Sequence, residues 1–384
     1  MVNSPMLAQI VAALALVIWL YLLFGRGGFW LSGERDDGEV LPPQAWPRIM
    51  AVIPARDEAE CIGESIASLV SQDYPGDLGI IVVDDGSSDD TAAIAERTAA
   101  AAGAGAKFEV VAGRPLPAGW TGKLWALKRG IEAAQSRAPQ FLLLTDADIV
   151  YERDVVARLV ARADHGGLAL ASLMVKLRCE SLAERALIPA FIFFFQMLYP
   201  FAWIKRQRHP AAGAAGGCML VRAEVLARTG GIERIRNALI DDCSLAAILK
   251  AQGPIWLGLT QHARSIRRYP QFSDIRRMVA RSAYAQLRYS PVLLAGTVVG
   301  MGVTYLAPPV IATLSSGPAP AIGLAAWLAM AIAFQPTLRF YRLSPLWGIA
   351  LPAIAFCYTL FTLDSAVQFA RGKGGSWKGR VQAR

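Results

Sequence analysis

Residues Met6–Phe24 (MLAQIVAALALVIWLYLLF) run for nineteen positions without a charged side chain. As a helix, such a run is long enough to cross the hydrocarbon core of a bilayer, whereas a surface helix of a soluble domain carries a polar face. This end of the chain is therefore expected at a membrane. No basic stretch precedes the run, and GRGGFW rather than a small-residue cleavage site follows it. Residues 1–26 are accordingly read as an uncleaved transmembrane anchor.

Apolar residues make up 54% of the 384-residue chain and charged ones 18%, and the apolar excess is uneven. It gathers in the first run and in the last hundred or so residues. There three apolar stretches, 291–314, 321–338 and 346–369, predict a C-terminal transmembrane region over 291–370. Arg339 and Arg342 flank one side of the third stretch, and Arg371, Lys373, Lys378, Arg380 and Arg384 the other, in a basic tail over 371–384. The positive-inside rule draws both groups to the cytoplasmic side, a conflict that a third stretch stopping short of a full crossing would resolve. Another apolar stretch, 187–204, is interrupted by Pro189 and Pro200 and followed by KRQRH. It reads as a segment in the bilayer plane, with Tyr199, Trp203 and Lys205 near headgroup level.

The five cysteines (Cys61, Cys179, Cys218, Cys243, Cys357) are scattered and lack CxxC spacing. That argues against a disulfide framework or a zinc site and fits a reducing compartment. His165, His209 and His262 are too dispersed in sequence for a His-based metal cluster. The net charge of +9 beside apolar segments points to anionic headgroups or phosphate-bearing substrates. No nucleic-acid-binding motif is present, so no nucleic acid partner is expected.

Between the apolar ends the pattern changes. Residues 27–47, with Pro42, Pro43 and Pro47, read as a linker. From 48 to 262, short apolar runs alternate with helical spacing: strands at 48–54, 79–83, 107–111, 141–145, 168–176 and 215–221, helices at 58–72, 91–102 and 125–134. Such alternation predicts βαβ units and a parallel sheet. The strands end on acids. PARDE (54–58), DDGS (84–87), Asp146-Ala147-Asp148 and Asp241-Asp242 all stand at or near the ends of predicted strands or the starts of helices. Each is compatible with turn or capping chemistry. However, buried carboxylates are costly unless paired or coordinated, and strand ends of open α/β sheets are where ligands bind.

The ordered set of P-A-R-D-E, D-D-G-S, D-x-D and an acidic pair resembles the inverting family 2 nucleotide-sugar glycosyltransferases, over about 48–262. The resemblance implies an α/β fold: a Rossmann-like GT-A catalytic domain, here with N-terminal and C-terminal transmembrane helices. It implies that Ala55, Arg56, Glu58 and Asp84 hold the nucleotide, Asp84 pointing to UDP. It implies that Asp146 and Asp148 form the D-x-D pair, with Asp148 the direct ligand of Mg²⁺ or Mn²⁺, and that Asp242 is the general base. Lys123, in GWTGK, is placed near the diphosphate or base. Gly216, Gly217, Cys218 and Asp241 are placed on the acceptor side.

The basic segment 263–290 offers Met278, Arg281 and Ser282 where polysaccharide-making relatives carry Q-x-x-R-W. Only Arg281 survives, which favours single sugar transfer over polymerisation and leaves Arg281 facing the diphosphate. The layout is most similar to the hopanoid-associated branch, then to ceramide and polyprenyl-phosphate glycosyltransferases. This implies a membrane lipid acceptor and a multi-pass protein of a bacterial inner membrane with its catalytic face in the cytoplasm. The rival readings are a GT-A-like nucleotidyltransferase, which would not need Asp242 as a base, and a non-enzymatic membrane scaffold.

Overall fold

In the computed structural model, which describes residues 4–375 and Lys378, the helix α1 (Ser4–Leu20) is joined to the sheet by residues 21–48. Strand β1 (Ile49–Ala55) is buried along its whole length, as a strand covered on both faces must be. It pairs in parallel with β2 (Leu78–Asp84) on one side and β4 (Phe141–Thr145) on the other. Helices α2 (Ile62–Val70) and α3 (Thr91–Ala101) and strand β3 (Phe108–Ala112) complete the first half, and α4 (Gly122–Gln135) leads into β4. Because the chain leaves β1 toward one neighbour and reaches the other only later, a crevice opens above the C-terminal ends of β1 and β4.

The second half adds β5 (Ile149–Tyr151), α5 (Val155–His165), β6 (Leu170–Lys176), α6 (Leu182–Leu198), α7 (Phe201–Ile204), β7 (Cys218–Arg222), α8 (Ala223–Arg228), α9 (Asp241–Lys250) and β8 (Ile255–Ser265). The eight-stranded order is β3-β2-β1-β4-β7-β6-β8-β5, mixed because β7 runs antiparallel to both β4 and β6. The expected strands and helices are present with shifted ends, since local pattern locates elements better than their boundaries. Strands β5 and β8 were not anticipated. β8 also carries the catalytic unit past residue 262, so the first residues of the expected basic segment belong to the sheet.

Within residues 27–47, expected to be a linker, residues 34–36 meet β8. Arg35 bridges to Leu259, Asp36 N donates to Leu259 O at 3.1 Å, and Asp36 is buried with its Oδ2 accepting from Thr260 at 2.6 Å.

Helices α10 (Phe272–Ala280), α11 (Ala283–Gln286), α12 (Pro291–Met301), α13 (Ala307–Leu314), α14 (Ala319–Phe340) and α15 (Leu351–Ala370) form the C-terminal region. Among the described residues, five helical segments are long and apolar enough to cross a membrane: 5–25, 182–204, 291–314, 319–340 and 351–370. Their outward apolar side chains, such as Val17, Val292 and Leu328, stay exposed on the protein. The 182–204 segment differs from the rest. Ile188, Ala190 and Phe193 are wholly buried, and Phe193 packs on Phe334 of α14. Of the basic tail, Arg380 and Arg384 lie outside the described residues.

Candidate active site

The PARDE and DDGSSDDT stretches are stitched together at the ends of β1 and β2. Asp57 has a positive φ of 52°, a left-handed conformation Asp tolerates because its short side chain bonds locally. Its Oδ1 accepts from the Ser88 amide at 2.7 Å, and this bond leads the effects that hold its carboxyl below the usual range. Glu58 N donates to Thr91 Oγ1 at 2.8 Å, while Arg56 Nη1 donates to the carbonyl oxygens of Asp85 and Gly86. Asp84 Oδ1 accepts from the Ser87 amide and hydroxyl. Gly86, with φ of 70°, makes the turn.

A cavity of about 1560 Å³ lies beside this knot. Glu58, Lys123, Asp146, Asp148, Gly216, Gly217, Asp242 and Arg281 line it, so stretches far apart in sequence meet at one surface. Ala55, Arg56, Asp84, Cys218 and Asp241 do not line it. Ala55 and Cys218 are wholly buried within β1 and β7. Arg56 Nη1 and Asp84 Oδ1 bond within the loop knot. Asp241 reaches the site indirectly through Lys123.

Lys123 stands in the first turn of α4, which Thr121 caps by accepting from the Leu124 amide. A cation is ordinarily disfavoured at this end of a helix. Three acids compensate: Lys123 Nζ is 2.9 Å from Asp146 Oδ1 and 3.3 Å from Asp241 Oδ2, with Asp242 nearby. Burial works against its charge, but these carboxylates outweigh it and hold the ammonium above the lysine range. Gly216 fits because it lacks a side chain: a Cβ there would come within 3.2 Å of Lys123 Nζ and 3.5 Å of Asp242 Oδ2.

Asp242 sits in the first turn of α9, where the dipole favours an anion. Its Oδ2 accepts from Gly216 N at 3.0 Å and its Oδ1 from Cys243 N at 2.7 Å. Burial, then the Asp241 charge, raise its pKa to about 6 against the opposing pull of Lys123 and those two amides. A carboxylate titrating there is ionised at neutral pH yet basic enough to accept a proton. Burial likewise raises Asp146, which Lys123 partly offsets.

The other acid of D-x-D is held differently. Asp148 Oδ2 accepts from Ser265 Oγ at 2.5 Å and lies 3.4 Å from Arg267 Nε. Arg267 Nη2 also donates to Glu58 Oε2 at 2.6 Å, and Lys378 Nζ lies 3.0 Å from Glu58 Oε1. The sequence reading missed Arg267, Ser265 and Lys378. Recognition of β8 as a strand would have placed the basic SIRR stretch at a sheet end. Among the described residues, Arg264, Arg268 and Arg281 line the cavity without a carboxylate partner, leaving cations free for an anionic ligand. One part of the wall is apolar: Phe191 and Phe195 of α6, Met278 of α10 and Tyr341 after α14 line it.

Asp146 and Asp148 present hard oxygen donors on one cavity wall, a set suited to Mg²⁺ or Mn²⁺ when phosphate and water supply the remaining ligands. A separate group, Asp36, Asp37 and His262, brings ligand atoms within 4.8 Å of one another and could hold a metal, but none of the three lines the cavity.

The mixed α/β sheet thus brings acids at strand ends and arginines without a carboxylate partner to one cavity. The family model for glycosyl transferase family 2 matches residues 50–230. An N-acetylglucosaminyltransferase of Bradyrhizobium elkanii is 30% identical over 35% of this chain and 71% of its own length. One of Mesorhizobium japonicum is 31% identical over 40% of this chain and 34% of its own, so the chain spans about a third of that relative. Among solved structures, a mannosyltransferase from Pyrobaculum calidifontis in complex with GDP-Man and Mn²⁺ superposes with a TM-score of 0.55 at 19% identity, over 92% of this chain and 99% of the other. The chain belongs to glycosyl transferase family 2 and has the Rossmann-like GT-A fold.

Proposed function

We propose that the protein is a membrane-bound inverting glycosyltransferase that moves a sugar from a nucleotide-sugar donor to a membrane lipid. The observation that carries this reading is the cavity itself. Glu58, Asp146, Asp148 and Asp242 share it with three unpaired arginines and with an apolar wall drawn from α6 and α10, which pack against the apolar C-terminal helices.

In this reading the nucleotide lies over the ends of β1 and β4, with Glu58 beside the ribose. Arg281 faces the diphosphate, and Arg264 and Arg268 supply further positive charge. Asp146 and Asp148 would hold Mg²⁺ or Mn²⁺, which stabilises charge developing on a diphosphate leaving group. Lys123 keeps Asp146 ionised and lowers the cost of the adjacent acids. Asp242 takes the proton from the acceptor hydroxyl as its oxygen forms a bond to the anomeric carbon and the bond to the diphosphate breaks. A single displacement inverts that centre, so no enzyme nucleophile is required. Gly216 leaves room for the acceptor beside Asp242, and Phe191, Phe195 and Met278 suit an apolar acceptor body. The names of the rhizobial relatives make N-acetylglucosamine the first sugar to test, on a UDP donor, and hopanoid lipids the first acceptors, ahead of ceramide and polyprenyl phosphate.

Detergent-purified protein with Mn²⁺ or Mg²⁺, labelled nucleotide sugars and bacterial lipid extracts with or without hopanoids provides the test. Label entering the lipid phase with wild type but not with Asp242→Asn supports the reading. Nucleotide-sugar binding without lipid labelling overturns the acceptor assignment, and absence of binding overturns the enzyme assignment.

A further inference from the structure

The last apolar stretch begins and ends at the same cavity. Tyr341, directly after α14, lines it, and so does Lys378, beyond the end of α15. Between them the chain folds back along α14. Gln335 Nε2 donates to Pro345 O at 3.1 Å and Trp327 Nε1 to Ile349 O at 3.1 Å. Gly348 lies so close to α14 that an added Cβ would be 2.9 Å from Ala331 O. At 1.5 Å per residue, Trp327 is roughly 20 Å along α14 from Phe340 and about 12 Å short of its start at Ala319. The excursion thus reaches well along α14 and turns before the far end.

Helix α15 brings the chain back. Tyr358 Oη donates to Leu187 O at 2.9 Å, Phe361 meets Phe272 at 5.1 Å, Asp364 lies 3.7 Å from Arg276, and Ser365 Oγ accepts from Tyr284 N at 3.0 Å. These contacts dock the end of α15 on α10 and α11, beside the cavity-lining Met278 and Arg281. Helix α6 also starts and ends on the catalytic unit. Ser181 Oγ donates to Tyr269 O at 3.4 Å, and Lys250 Nζ donates to Ile204 O at 2.8 Å.

We infer that the chain meets the bilayer through three spans, α1, α12–α13 and α14, and through a re-entrant hairpin, residues 343–371, that enters and leaves on the catalytic side. The inference rests on the membrane-bound reading above. Non-helical backbone at membrane depth is tolerated where protein groups satisfy it, and Gln335 and Trp327 supply donors to the hairpin carbonyls. The charge pattern agrees: residues 289–338 and 343–363 contain no Lys, Arg, Asp or Glu. Arg339, Arg342, Arg371, Lys373 and Lys378 then all fall on one side, which meets the positive-inside rule without conflict. The hairpin also anchors the helix pair that brings Arg281 to the cavity.

Single cysteines at Ser316→Cys, Arg339→Cys and Lys373→Cys, in a full chain otherwise lacking cysteine, are probed in sealed vesicles of both orientations with an impermeant maleimide. Positions 339 and 373 are expected to react from one face and position 316 from the other. Reaction of 373 from the face of 316 overturns the hairpin while leaving the spans. Reaction of 316 and 339 from one face overturns the spans and the hairpin together. If the cysteine-free chain fails to accumulate, native chain with a C-terminal epitope is treated with trypsin in vesicles exposing the face opposite the catalytic unit. Retention of the epitope supports the hairpin, and its loss overturns it.

Discussion

Lys123 Nζ is 2.9 Å from Asp146 Oδ1, so the N-terminal turn of α4 supplies the counter-charge for the end of β4. The same ammonium reaches Asp241 at 3.3 Å and, through it, the neighbourhood of Asp242. One cation thereby faces three acids. Replacement by Gln leaves them mutually repulsive and raises the proton affinity of Asp242. The acid limb of kcat/KM against pH is expected to move to higher pH in Lys123→Gln, measured with saturating metal.

Asp242→Asn removes the proposed proton acceptor while preserving shape. Sugar transfer is expected to fall by about 100- to 10,000-fold, the usual contribution of a positioned general base. Donor affinity, measured by titration calorimetry, is expected to remain, because the proposed function sets Asp242 against the acceptor hydroxyl and not the nucleotide.

With its pKa raised to about 6, Asp242 is protonated below that value; as the proposed base it should make kcat/KM rise as pH passes upward through about 6. Stability runs the other way. A carboxyl whose folded pKa lies above its unfolded value binds its proton more tightly when folded. The stability it contributes is present below the ordinary carboxylate pKa and lost as pH rises through about 6. Wild type and Asp242→Asn, melted at pH 4 and pH 8, should therefore differ in the pH dependence of Tm. The wild type should lose more on going to pH 8.

Arg267 bridges Glu58 and Asp148, both buried. Arg267→Ala leaves two carboxylates without this partner, a loss of roughly 1–3 kcal/mol, partly relieved by Lys378 and solvent. A lowered Tm in detergent is expected. Bound Mg²⁺ or Mn²⁺ should restore more Tm in this variant than in wild type, because a cation can replace the guanidinium beside Asp148.

Gln335 donates to Pro345 O and Ala331 O on the flank of α14. Gln335→Leu leaves a carbonyl of the hairpin turn without its donor. A destabilisation of about 1–3 kcal/mol is expected, read as a lower detergent Tm with donor affinity unchanged.

Much of the site was legible because its residues stand at element ends. Apolar runs mark strands, and Asp146, Asp148 and Asp242 follow them or open a helix. Other assignments were not legible. Asp84 and Arg56 have the same sequence character as the cavity-lining acids, but their local bonds to Ser87 and to the Asp85 and Gly86 carbonyls draw them into the loop knot. Cys218 follows two cavity-lining glycines, yet its position on β7 turns it into the core. The 27–47 segment looked like a linker because a single edge contact leaves no periodic pattern.

Alone, the sequence determined the apolar helices, the alternating α/β elements and the acids available for chemistry, since burial periodicity and residue type are local properties. Only the tertiary structure decided which of those acids share a cavity. Arg267 reaches Glu58 across 209 positions because β8 ends beside β5, and β5 packs against α2, the helix that follows β1. The order of strands in a sheet places side chains that local patterning cannot relate. The fold likewise decided that both basic flanks of the last apolar stretch meet one cavity, through the packing of residues 345–349 on α14 rather than through hydropathy.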